Sequence, residues 1–246
     1  MKRILGRYPR LKSRLLTLYF GAYRYARNPR LMVDQLVFGD YSECGETKKI
    51  RQLLSDGSNR FLVEVGANDG KNGDAAYGLF LDGWRGLMIE PATKTFDRLC
   101  GNMRRFPGVH CLNCAISNVD GSTRLWHGKE DPTGNLATIS TEQSAWFDKV
   151  RSESYEIVES RRLTEVLNSN GVPNKFDLLI IDAEGMDLEV LASLDFTQYR
   201  PHLIISEEYE PKREAKYFLL KTMGYKMECQ LGSNTFWIMV RNDAIN

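Results

Sequence analysis

The stretch Phe61-Leu-Val-Glu-Val-Gly-Ala-Asn-Asp-Gly70 constrains the fold more than any other part of the chain. Its first half is an apolar run of strand length broken by one acid. Its second half places glycines at 66 and 70, where a tight turn can pass close to a ligand. A strand that is apolar on both faces belongs in a sheet covered on both sides. Helical patterns flank this one: Thr47, Ile50, Leu53 and Leu54 share a face in a helix expected over Glu46–Leu54, and a second helix is expected over 74–81.

The same alternation continues. Strands are expected over 86–90, 109–116, 123–126, 155–160, 176–182 and 202–206, with helices over 92–105, 163–169, 187–194 and 214–223. Residues 225–231 and 235–240 suit a terminal hairpin. Residues 128–153, with Pro132 and Gly134, read as irregular. Strand–helix alternation without repeat or linker predicts an α/β fold with a mostly parallel sheet and helices on both faces.

Size and charge refine this. The 246 residues are 42% hydrophobic and 26% charged, enough for a sizeable core and too apolar for a disordered chain. No apolar run approaches the roughly 20 residues of a membrane span. No apolar stretch of signal-peptide type follows the basic start Met-Lys-Arg-Ile-Leu. Five cysteines, an odd and sparse set, fit free thiols in a reducing, cytoplasmic setting. Residues 1–33 hold nine basic groups and no acid, which leaves 24 basic against 32 acidic residues in the rest. Residues 1–44 are therefore set apart as a basic helical extension of a domain over 45–246. A helix is expected from about Pro9 to Ala26. Residues 1–30 suit peripheral contact with the anionic inner face of a membrane, or packing of their apolar stripe on the domain. Tyr19, Tyr23 and Tyr25 suit packing on the domain or on a partner subunit of a homo-oligomer. The acidic body argues against nucleic acid as a partner.

Ligands of open α/β sheets bind beyond the carboxyl ends of the strands. A dinucleotide fingerprint fails at Gly66, because Asn68 and Lys71 stand where its next glycines are required. What remains is an acid, Glu64, then Gly66, Ala67, Asn68 and Gly70: a loop for a ligand without a pyrophosphate. Glu90 ends the next strand, where a carboxylate accepts hydrogen bonds from both ribose hydroxyls, and Pro91 follows. Asn113-Cys114-Ala115-Ile116 ends the third strand, where an adenine edge would lie. This ordered set describes an S-adenosylmethionine site.

The blocks Phe61–Gly70, Gly83-Trp-Arg-Gly-Leu-Met-Ile-Glu-Pro91, Asn113–Ser117, Gly134-Asn135, Arg162-Leu-Thr164 and Asp182-Ala-Glu-Gly-Met-Asp187 resemble the FkbM family of S-adenosylmethionine-dependent methyltransferases. Pro201 and Glu207 match the family's later strand-end glutamate. The resemblance runs from about residue 45 to 210. It implies a class I methyltransferase fold, a seven-stranded sheet closed by an antiparallel hairpin, and O-methylation of a hydroxyl on a sugar or glycosylated small molecule. Glu64, Ala183 and Asp187 depart mildly from the pattern, and the basic extension lies outside it.

An alcohol is a very weak acid, so methyl transfer to it needs a base, a metal, or both. Asp182 and Glu207 end neighbouring strands and are expected to be catalytic. With Glu208, or Glu184 in its place, they are also a candidate Mg²⁺ site; alternatively Asp182 contacts the cofactor's methionine moiety or caps the next helix. Among three histidines, His110 and His202 begin strands, at the wrong end of the sheet. His127 is the candidate base, and Lys129, Asn135 and Tyr209 are candidate acceptor contacts. Cys111 and Cys114, three apart in an expected strand, face opposite sides and do not suit zinc. An N-methyltransferase of amino sugars and a non-catalytic docking module are the alternatives.

Overall fold

The computed structural model describes residues 34–35, 39–55, 59–129, 137–140 and 151–240. The expected helix over Pro9–Ala26 and residues Gly134 and Asn135 lie outside the described residues. Strand β1 (Phe61–Val65) is central, parallel to β2 (Arg85–Ile89) on one side and to β8 (Leu178–Ile181) on the other. The sheet continues through β3 (Val109–Leu112) beyond β2, and through β9 (Leu203–Glu207), β11 (Asn234–Met239) and β10 (Tyr225–Leu231) beyond β8. Only β11 runs against its neighbours. The fold is the mostly parallel seven-stranded α/β sheet with an antiparallel C-terminal hairpin.

Side-chain alternation along these strands divides the core into two layers. Val63, Val65, Leu87, Ile89, Leu179 and Ile181 face α4 (Leu163–Ser169), α5 (Asp187–Ala192) and α6 (Arg213–Thr222). Leu62, Met88, Leu178 and Ile180 face α1 (Glu46–Leu53), α2 (Tyr77–Leu81) and α3 (Thr93–Met103). In α3 the buried positions Thr95, Leu99 and Met103 recur every four residues, one stripe of a helix. Leu99 packs so closely on the β1–α2 turn that a Cβ on Gly70 would meet its Cδ1 at 2.4 Å. At that spot only glycine lets helix and turn touch.

Two expectations are corrected. Residues 109–116 are not one strand: β3 ends at Leu112, and β4 (Ala115–Ile116) enters a second sheet. The break falls at Asn113, whose Nδ2 donates to the carbonyls of Glu90 (2.8 Å) and Pro91 (2.9 Å) and draws the chain off the first sheet. The second sheet has the order β4, β7 (Arg151–Arg161), β5 (Gly121–Gly128), β6 (Ala137–Thr138). Residues 137–138 and 151–153, read as irregular, are therefore strand.

Asp40 and Ser42 are buried, and Ser42 bridges to Gly73. Thr47 Oγ1 donates to the Ala75 carbonyl at 2.9 Å, and Asn234 Nδ2 to Glu46 at 3.2 Å. The segment before α1 and the first turn of α1 are thus stitched to the β1–α2 loop, and that first turn also to the C-terminal hairpin. Among the described residues no helix is long and apolar enough to cross a membrane.

Candidate active site

A cavity of about 100 Å³, partly open to solvent, lies beyond the carboxyl ends of β1, β2 and β8, with the second sheet as its opposite wall. Its floor is Val65, Gly66 and Asn68. Glu90 and Pro91 flank it on one side, and Asp182, Ala183, Glu184 and Met186 on the other. Cys114, Ala115, Ile116, Leu125 and Ala137–Ile139 close it from the second sheet.

The floor is backbone. Gly66 has φ +82°, and a Cβ there would meet the Asp182 carbonyl oxygen at 1.8 Å, so the β1 and β8 turns are in contact where only glycine fits. The N–H groups of Gly66 and Ala67 both donate to the Ile89 carbonyl, at 2.9 and 3.0 Å. Asn68 and Glu184, both lining the cavity, are held at φ 49° and 48°. Such positive φ values are costly for residues other than glycine, and they concentrate at functional sites.

Acids surround this floor. Glu90 is 6% exposed and accepts the N–H of Asn68 (2.9 Å) and of Ala92 (2.8 Å), one on each oxygen. Burial pushes its carboxyl up to about 7 against the pull of those two N–H groups and of Arg98. Asp182 borders the cavity, where solvent reaches it although protein surrounds it. That enclosure, and then Glu43, raise it to about 6. Glu64 sits behind the floor, raised well above its ordinary value by burial, Asp74, Asp182 and Glu90. Its Oε2, like Asn68 Oδ1, has no hydrogen-bond partner among the described residues. Desolvation disfavours the charged form of each acid, and each charge raises its neighbours.

Gly66, Asn68, Glu90, Pro91, Cys114, Ala115 and Asp182 thus line one cavity, as the sequence reading assembled them. Glu64, Ala67 and Gly70 support it from behind. The buried unpartnered oxygens, the backbone floor and the apolar wall fit a ligand that has a cationic end, a diol and a flat base.

The catalytic and metal candidates divide. Asp182 and Glu207 follow the register pair Ile181–Ser206, and Glu207 is pushed to about 7 by burial and by Asp182. Glu207 opens onto a second, much smaller cavity of about 10 Å³, which Tyr209 also lines. Glu208 is turned away: its carboxylate takes Arg213 at 2.7 Å and Lys216 at 3.0 Å, and these outweigh burial to hold it below its ordinary value. Among the described residues no group of three or more His, Cys, Asp or Glu side chains is placed to hold a metal ion. The proposed trio does not fit Mg²⁺.

His127 is not in the cavity wall. Its Nε2 lies 3.5 Å from Glu156, whose other oxygen takes Thr93 Oγ1 at 2.6 Å. Lys129 is exposed at the end of β5. Sequence reasoning missed Leu125, Thr138 and Ile139. Thr138 Oγ1 donates to the Glu184 carbonyl at 2.9 Å and so fastens β6 to the turn after β8. No local signal marks these residues, because pairing across the second sheet brings them to the site.

Residues 64–229, more than half of the chain, match the family described as the methyltransferase FkbM domain. The chain is 29% identical to a methyltransferase of Sordaria araneosa, sdnD, over 182 residues, which are 63% of this chain and 68% of that one. It is 30% identical to Methyltransferase 1 of Beauveria bassiana over 124 residues, 44% of this chain and about half (48%) of that one. Among solved structures it is similar to an O-methyltransferase from Bacillus cereus in complex with SAH (14% identity, 80% of each chain, TM-score 0.46). It is also similar to Aeropyrum pernix fibrillarin with bound S-adenosyl-L-methionine (8% identity, 74% of this chain and 67% of that one, TM-score 0.44).

Proposed function

Because the chain belongs to the FkbM methyltransferase family and is an S-adenosylmethionine-dependent methyltransferase, we propose that it methylates a hydroxyl of a sugar or glycosylated small molecule. The observation that carries this reading is Asp182, an acid on the cavity wall whose carboxyl is raised to about 6. A hydroxyl gives up its proton only with help, and a carboxylate raised this far is a stronger base than an ordinary one while still ionised at neutral pH.

In this reading Glu90 holds the ribose diol, the floor at Gly66 and Asn68 receives the methionine end, and Cys114, Ala115 and Leu125 bound the base. When bound, S-adenosylmethionine supplies an electrophilic methyl group. Asp182 takes the acceptor's hydroxyl proton on a carboxylate oxygen. Glu207, its register neighbour with a carboxyl near 7, keeps its proton to a higher pH than Asp182 and, from the adjoining cleft, donates a hydrogen bond to an oxygen of the acceptor. The five cysteines carry free thiols, which supports a reducing, cytoplasmic setting. Residues 1–30 are proposed to touch an anionic membrane face.

The test compares the unaltered enzyme with Asp182→Asn on a panel of methyl glycosides, following S-adenosylhomocysteine release and cofactor affinity. The expected result is turnover on a hydroxyl acceptor that falls about 100-fold or more in the variant, the usual reach of a general base, with cofactor affinity within about threefold. Full turnover in Asp182→Asn, or methylation only at nitrogen, would overturn the reading.

A further inference from the structure

The turn after β8 is the partition between the two cavities. Asp182, Ala183, Glu184 and Met186 face the larger one, while Gly185 and Asp187 face the smaller, onto which Glu207 opens. Asp187, the first residue of α5, is 4% exposed. Its Oδ1 accepts the N–H of Ala183 at 3.0 Å, and its Oδ2 accepts the N–H of Glu207 at 2.8 Å. The first bond closes a local turn. The second crosses to another strand, twenty residues away in sequence. The carbonyl of Glu207 is held in turn by the ammonium of Lys216, a side chain that is itself buried. The backbone of Glu207 is therefore gripped at its N–H and at its carbonyl by two buried side chains.

We infer that Asp187 is a positioning residue, which ties the Asp182 turn to the Glu207 strand end so that the two acids are held as one unit. The inference rests on the roles given above to Asp182 and Glu207. The arrangement requires a carboxyl side chain, with an oxygen for each N–H. Two N–H groups converge on two oxygens, and an amide of the same shape offers one acceptor and an NH₂ that opposes the other N–H. The buried N–H left without an acceptor is the costly outcome, and it falls on one of the two turns.

The test is amide hydrogen exchange on the full chain, read at Ala183 and Glu207. In Asp187→Asn at least one of the two amides is expected to exchange about tenfold faster. In Asp187→Ala both do, while amides of β1 and β2 stay within about twofold. The loss of a buried hydrogen bond has this magnitude. Formate, with two acceptor oxygens, should restore protection at both amides in Asp187→Ala, and formamide of equal size should not. A packing role would make no such distinction. If Asp187→Ala does not fold, Asp187→Asn carries the test. Faster exchange at Ala183 alone in both variants would reduce Asp187 to a local helix contact, and uniform loss of protection would make it a general stability residue. Either result overturns the tie. A separate titration of the unaltered chain with S-adenosylhomocysteine reports on the cofactor site, so failure there is distinguishable from failure of the tie.

Discussion

Glu90 already takes one backbone N–H on each oxygen and still borders the cavity, so it fixes the loop and faces the ligand at once. Glu90→Ala is expected to weaken S-adenosylhomocysteine binding at least tenfold by calorimetry, since a charge-assisted hydrogen bond contributes about 1.5–3 kcal/mol. Gly66→Ala should do more. The added Cβ would overlap the Asp182 carbonyl on a backbone already at positive φ, so β1 and β8 must part. A loss of about 2 kcal/mol or more, with no detectable cofactor binding, is expected from denaturant unfolding and titration. Both residues were legible in the sequence, because a strand-end acid and a glycine in a turn are local signals. Thr138 was not: its hydroxyl matters only because β6 lies against Glu184. His127 is the opposite case. Its place near the irregular stretch suggested a base, but a strand turns its ring to Glu156.

The strands of the main sheet were readable as elements because each is an apolar run bounded by glycine, proline or polar residues, and β1 and α4 match their expected bounds. The break at Asn113 was hidden, since the apolar pattern continues across it and only the side-chain bonds to Glu90 and Pro91 interrupt the ladder. The second sheet was hidden for another reason. Gly121 pairs with Ser160 across some forty residues, and no local pattern encodes such a partner. This sheet is fastened to the main domain at Thr138, so Thr138→Val tests its contribution. The variant keeps the shape and loses the bond to Glu184, and cofactor affinity should fall severalfold with unfolding stability lower by about 1 kcal/mol. Unchanged affinity would mean that β6 holds its place by packing alone.

Across the molecule five enclosed acids share a tendency that Glu208, held down by Arg213 and Lys216, does not. Asp74, Glu90 and Glu207 are raised to about 7, Asp182 to about 6 and Asp187 to about 8, in each case first by burial. The folded chain therefore binds more protons than the unfolded chain between roughly pH 4 and 8. Stability contributed by these groups is full below their unfolded values and is lost as pH rises through the folded ones. The ligand-free protein should melt several degrees higher near pH 5 than near pH 8 in a buffer series, and S-adenosylmethionine, a cation, should raise the melting point more at pH 8. A melting point that climbs with pH would contradict this charge arrangement. The contact between Gly66 and Asp182 has a different consequence, for how such an enzyme can diversify. One side of the cavity is peptide backbone that tolerates no added atom, while the facing wall is built from the side chains of Ala137, Thr138 and Ile139. Changes of substrate preference, in nature or in the laboratory, have room to accumulate on that wall at Ala137 and Ile139, while Thr138 between them stays bound to the turn opposite.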